Sequence, residues 1–125
     1  MRFVSPAEAV SLVRSGDRVY VHEASMAPTS LLVALAERAP ELVGVEVMHL
    51  HIEGPAPHVA PSCAGHLRHN ALFVGANTRA AVAEGRADFT PVFLSQIPDL
   101  IRGGRLRVDV ALVQVSPPDA HGWCR

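Results

Sequence analysis

Apolar positions along this chain fall into two spacings that take turns, short continuous runs and longer stretches with helical periodicity. Ser5-Pro6-Ala7-Glu8 combines a capping serine, a proline at the first helical position and a glutamate able to reach back to the cap, which predicts a helix start. Ala9, Val10, Leu12 and Val13 form its apolar face and Gly16 supplies the left-handed stop. A strand over 18–22 follows, then a loop of small residues, Glu23-Ala24-Ser25-Met26-Ala27. Pro28 opens a second helix with Leu31, Leu32, Leu35, Ala36 and Ala39 at helical spacing, and Pro40 ends it. The next strand, over 45–52, places Val45, Val47, His49 and His51 on one side.

Residues 54–69 are rich in proline, glycine and histidine and lack periodicity, which predicts a long surface excursion with at most a short helical turn. Beyond it the pattern predicts a strand over 71–75, an Asn77-capped helix through Ala83 stopped by Gly85, and a strand over 91–94. A Ser95-capped helix closed by Gly103-Gly104 comes next. The final run, 107–115, is apolar enough to predict a strand buried on both faces of a parallel sheet. Strands alternating with helices, without hairpin signals or an internal repeat, specify one α/β domain over 1–125: a mostly parallel open sheet flanked by helices. Such sheets place their binding loops at the carboxyl ends of the strands.

Composition narrows the function classes. With 125 residues, 49% of them apolar and 18% charged, the chain is long enough for a single buried core. A net charge of −1 does not build the basic face that nucleic acid requires. No apolar stretch approaches the roughly 20 residues of a membrane span, and the N-terminus lacks the flank and core of a signal peptide, so a cytoplasmic location without a membrane partner is expected. Cys63 and Cys124 fit neither a disulfide framework nor a close-spaced zinc motif and are expected to be reduced.

Candidate chemistry is spread over the predicted loops. Of seven histidines, His49 and His51 share a strand face while His58, His66 and His69 fall in the following excursion. No His-x-x-x-His pair appears, so the expectation is imidazoles bonded to loop backbone and no metal. Ser25, Ser62, Ser95 and Ser116 lack a nucleophile elbow. Glu23 and Glu53 each follow a strand, where a carboxylate can enter a cleft or simply keep a loop soluble. Gly75-Ala76-Asn77-Thr78 joins a strand to a helix, and its amides suit either an anion or nothing more than an asparagine cap after a tight turn.

Taken in order, several segments resemble the N-terminal part of the acetyl-CoA hydrolase/transferase family, which includes the 4-hydroxybutyrate and acetate CoA-transferases. They are Ser15-Gly16-Asp17-Arg18-Val19, His49-Leu50-His51 with Glu53-Gly54, the run 70–77 with Arg79 and Ala81-Val82, Glu84-Gly85-Arg86-Ala87-Asp88, Leu94-Ser95-Gln96-Ile97-Pro98, and Asp109-Val110-Ala111-Leu112 through His121-Gly122. The resemblance implies two tandem α/β domains with the active site between them. It also implies a reaction that moves CoA from an acyl-CoA to a carboxylic acid, or to water, through a glutamyl-CoA thioester.

That glutamate and the CoA-binding glycine-rich segment belong to the family's later region, so no catalytic residue is assigned here and coenzyme A enters as substrate, not as a bound cofactor. The resemblance makes this chain an incomplete first domain supplying one wall of the cleft. That wall comprises Glu23, Ser25 and Met26 after the first strand, His51, Glu53 and Gly54 after the second, and Gly75, Ala76 and Asn77 further on. Ser95 and Gln96, and finally Ser116, Pro117 and Pro118, complete it. Its ligands are an acyl-CoA and a small carboxylic acid once a second domain is supplied. A sheet lacking later strands exposes an edge and an apolar face, which predicts a homo-oligomer. The alternatives are a subunit of a split CoA-transferase and a non-catalytic module that binds acyl-CoA or nucleotide, or only assembles.

Overall fold

The computed structural model describes residues 3–124. Five strands, β1 (Arg18–Val21), β2 (Val45–His49), β3 (Leu67–Ala71), β4 (Ala87–Phe89) and β5 (Val110–Leu112), form one sheet in the order β4-β3-β2-β1-β5. Every pairing is parallel, with Val19 opposite both Val47 and Val110, and Val47 opposite His69. The α/β class expected from the sequence is therefore the fold observed.

Helices α1 (Pro6–Val10) and α2 (Thr29–Glu37) cover one face, with Leu32 and Leu35 of α2 in one core with Val19, Val21, Val45 and Val47 of the sheet. On the other face Met48 and Leu72 meet Ile97 of α4 (Ile97–Arg102) and Leu106, with Tyr20 packed alongside. Burial on both faces is what an all-parallel sheet needs, and the inner strands β1 and β2 receive it.

The first helix starts as its cap predicts, the Ser5 hydroxyl accepting the Glu8 N–H at 3.1 Å. It ends sooner than the apolar spacing suggests. Arg38 reaches in to donate to the carbonyls of Val10 and Val13 at 2.6 and 2.8 Å, fixing an irregular turn there; Val10 and Val13 are buried, while Leu12 is 71% exposed and leaves the predicted face. Pro40 lies inside a 3₁₀ turn, Ala39–Glu41, that follows α2 directly.

Several boundaries differ from the sequence expectation. The second strand stops at His49, and Ile52 forms only an isolated bridge to Ala24. The excursion holds two 3₁₀ turns, Pro57–Val59 and Pro61–Cys63, and ends earlier than 69 because β3 begins at Leu67; residues 72–75 leave the sheet. An inward-facing histidine between Leu67 and Ala71 hid the alternation.

The strand placed at 91–94 is instead β4, where exposed Asp88 pairs with Arg68 of the neighbouring strand. The last apolar run forms a strand only over Val110–Leu112. It is an edge strand, with Val113 49% and Val115 45% exposed, so the run is not buried on both faces. Helix α3 (Arg79–Ala83) is capped at Thr78, not Asn77, and α4 at Gln96, with Ser95 inside a preceding 3₁₀ turn. Cys63 and Cys124 are free thiols.

Candidate functional site

Because all five strands run the same way, their following loops gather at one end of the sheet, the end at which open α/β sheets bind ligands. Three of these loops are tied together. The Ala24 N–H donates to the His51 carbonyl at 2.8 Å and the Glu53 N–H returns to the Ala24 carbonyl at 3.1 Å. Ala24 adopts φ +52° to make this exchange, an unusual conformation for a residue with a Cβ. On the other side, Asn77 Nδ2 donates to the carbonyls of Ile52 and Gly54 at 3.0 and 2.9 Å.

These ties shape an open pocket of about 260 Å³ lined by His51, Ile52, Glu53, Gly54, Gly75, Ala76 and Asn77. Gly75 lets the two loops approach closely: a Cβ there would stand 3.0 Å from Asn77 Oδ1 and press on that side chain. The Thr78 and Arg79 N–H groups both return to the Gly75 carbonyl, at 3.3 and 3.1 Å. Those two amides are committed to the turn, so the polar groups the pocket offers are the His51 imidazole, 3.7 Å from the Glu53 carboxylate, and the loop backbone.

The remaining candidates lie apart from this pocket. Glu23 is half-buried and accepts a hydrogen bond from the Tyr20 hydroxyl; burial first, then that hydrogen bond and the Glu23 charge, push the Tyr20 phenol well above its ordinary range. Ser25 and Met26 are exposed at the surface of the first loop. Gln96 lines a separate pocket of about 360 Å³ with Phe89, Pro91, Val92 and Phe93, and its side chain accepts the Phe93 N–H at 3.3 Å. Ser95 is exposed beside it, and Ser116, Pro117 and Pro118 lie exposed beyond the edge strand.

Apart from His51 in the pocket and the exposed His121, the histidines divide into two groups. His66 bonds the Leu42 carbonyl at 2.7 Å, as imidazoles of the excursion were expected to bond backbone, and His22, just past β1, bonds the Gln114 carbonyl at 3.2 Å. His49, His58 and His69 are buried together instead. Burial, reinforced by the neighbouring His69, lowers His49 to about 3; burial is also the main cause that holds His58 well below the usual imidazole range and lowers His69. In each ring the shift favours the neutral form. Sequence reasoning missed this cluster because it placed His69 in a loop; the signal was His49 and His69 each at an inward position of adjacent strands.

The whole of residues 1–125 matches the acetyl-CoA hydrolase/transferase N-terminal domain. The chain belongs to the acetyl-CoA hydrolase/transferase family. Among its relatives, the 4-hydroxybutyrate coenzyme A transferase of Clostridium kluyveri is 42% identical over 123 residues, which is 98% of this chain and 29% of that protein. The succinyl-CoA:acetate/propanoyl-CoA:succinate CoA transferase of Fasciola hepatica is 40% identical, over 94% of this chain and 24% of its own length. The crystal structure of RipA from Yersinia pestis superposes with a TM-score of 0.86 at 25% identity, covering 97% of this chain and 30% of that one. This chain thus spans under a third of the length of the family members it matches, and corresponds to their N-terminal domain. Among the described residues, no helix is long and apolar enough to cross a membrane.

Proposed function

We propose that this chain supplies one wall of a CoA-transferase cleft, with the pocket between the 51–54 and 75–77 loops facing the reacting acyl-CoA and carboxylic acid. The observation that carries the reading is the convergence of those loops at the carboxyl end of the parallel sheet, locked by Asn77. In this role the half-exposed His51 imidazole offers a donor to a substrate carboxylate or thioester oxygen, with the Glu53 carboxylate 3.7 Å from its Nε2. The family's reaction runs through a glutamyl-CoA thioester, and the resemblance places that glutamate in the later region of family members. The chain by itself is therefore inactive and completes a site with a second domain, joined or separate.

It acts in the cytoplasm as a homo-oligomer. The exposed Phe89, Phe93 and Leu94 and the uncovered edge strand support association, and a monodisperse monomer at micromolar concentration would count against it.

Backbone amide shifts on titration with CoA test the site. Shifts concentrated at 51–54 and 75–77 support the cleft wall. Shifts elsewhere, or none at millimolar CoA, would leave an assembly role.

A further inference from the structure

Three imidazoles meet on the α1/α2 face of the sheet. His49 ends β2, His69 is the central residue of β3, and the 3₁₀ turn Pro57–Val59 lays His58 beside both. None is more than 1% exposed. The His49 and His69 rings stack with centroids 4.2 Å apart, and His58 meets them nearly edge-on at 5.2 and 5.1 Å.

The ring nitrogens are poorly provided for. His69 Nδ1 lies 2.9 Å from the Val47 carbonyl, which can only accept, so Nδ1 carries the proton and Nε2 keeps a bare lone pair. That Nε2 has no hydrogen-bond partner, nor do the Nδ1 atoms of His49 and His58. The Nε2 atoms of His49 and His58 stand 3.2 Å apart, with one proton between them at most. Buried polar atoms left in this state are rare in folded proteins and call for an explanation.

We propose that His49, His58 and His69 form a buried site for a transition-metal dication of the zinc class, cross-linking β2, β3 and the 57–59 turn. One nitrogen from each residue lies within 4.8 Å of the others. A tetrahedral ion with bonds of about 2.0–2.1 Å holds its nitrogens roughly 3.3 Å apart. The Nε2 atoms of His49 and His58 already stand at that spacing, 3.2 Å apart, and the third nitrogen, within 4.8 Å of them, closes by up to about 1.5 Å as the stacked His49 and His69 rings turn toward the ion. The bond from His69 to the Val47 carbonyl is the outer contact that metal-bound imidazoles characteristically make. An all-imidazole set of neutral rings suits zinc, copper, nickel or iron and not magnesium or calcium. With three protein ligands, a solvent molecule completes the shell.

The test is elemental analysis of the full untagged chain, then removal of metal by chelator and titration with Zn(II) and Co(II). The expected result is near-stoichiometric zinc and, with Co(II), the visible absorption of a four-coordinate nitrogen-bound ion. His58→Gln and His49→Gln should each weaken zinc binding more than about 100-fold, while His121→Gln in the exposed segment leaves it unchanged. Should either cluster variant fail to fold, imidazole nitrogen shifts of the native chain on adding zinc decide the matter. Native protein that takes up neither ion, shows no shift at these rings, or binds equally well in the folded His58→Gln variant overturns the proposal.

Discussion

Asn77 holds the backbone of Gly54 across the mouth of the pocket: one amide group donates to the Gly54 carbonyl at 2.9 Å and, with its second hydrogen, to the Ile52 carbonyl at 3.0 Å. The tie depends on a donor. Asn77→Ala loses both bonds and is expected to cost about 1–2 kcal/mol in urea denaturation. Asn77→Asp aims a carboxylate at two carbonyl oxygens and should be worse than alanine at pH 7. Equal stability of the two variants would show that the hydrogen bonds do not hold the loops.

Tyr20 is the chain's one tyrosine, so its ionisation can be followed directly by ultraviolet absorbance. Its burial and its bond to Glu23 both disfavour the phenolate, and the midpoint should lie above the ordinary tyrosine value of about 10. Glu23→Gln should move it partway back, because burial remains. Since the native state keeps its proton longer than the unfolded one, stability falls as pH rises past 10. A native midpoint at the ordinary value would contradict the contact.

Arg38 joins the two helices on the covered face, donating to the Val10 and Val13 carbonyls while its Nε meets Glu41 at 3.0 Å. Arg38→Ala takes the guanidinium donor from both carbonyls, leaving Val10 only the Val13 N–H at 3.1 Å, and should destabilise by about 1–3 kcal/mol. Glu41→Ala removes only the exposed partner and should cost less than about 1 kcal/mol in the same denaturation measurement.

The buried imidazoles make the metal-free chain acid-sensitive. Their folded proton affinities lie below the ordinary histidine value, so the unfolded state binds more protons as pH falls through about 6.5. Stability should therefore drop between pH 7 and 5, by up to about 1.4 kcal/mol per pH unit for each ring that stays neutral. His58→Gln should flatten that slope in the presence of chelator. A profile level from pH 7 to 5 would mean the rings are not kept neutral.

The alternation of strand and helix was legible because β1, β2 and α2 obey their periodicities: Val19 and Val21 point inward, as do Val45 and Val47, and Leu32 and Leu35 meet them. Strand β3 was displaced because Leu67, His69 and Ala71 alternate correctly only if histidine is counted as an interior residue. Strand β4 presents exposed Asp88 and Phe89 on a sheet edge, and nothing in a short run of that kind marks a strand. The long apolar run at 107–115 misled in the opposite direction, since edge position and not composition sets its exposure.

At the site, the loops around His51 and Asn77 were legible as strand ends. Their coupling was not, because Asn77 reads locally as a helix cap and its actual partners lie more than twenty residues away. A comparable distance in sequence separates His49 from His69, which the β2–β3 register brings together.

CoA transfer is best measured with this chain alone and with a chimera in which it replaces the N-terminal part of the Clostridium kluyveri relative, using acetyl-CoA and 4-hydroxybutyrate as substrates. A cleft wall predicts no turnover by the chain alone, turnover by the chimera, and a loss of roughly tenfold or more on Asn77→Asp through misplaced loops. Turnover by the chain alone, or a folded chimera without any, would contradict it.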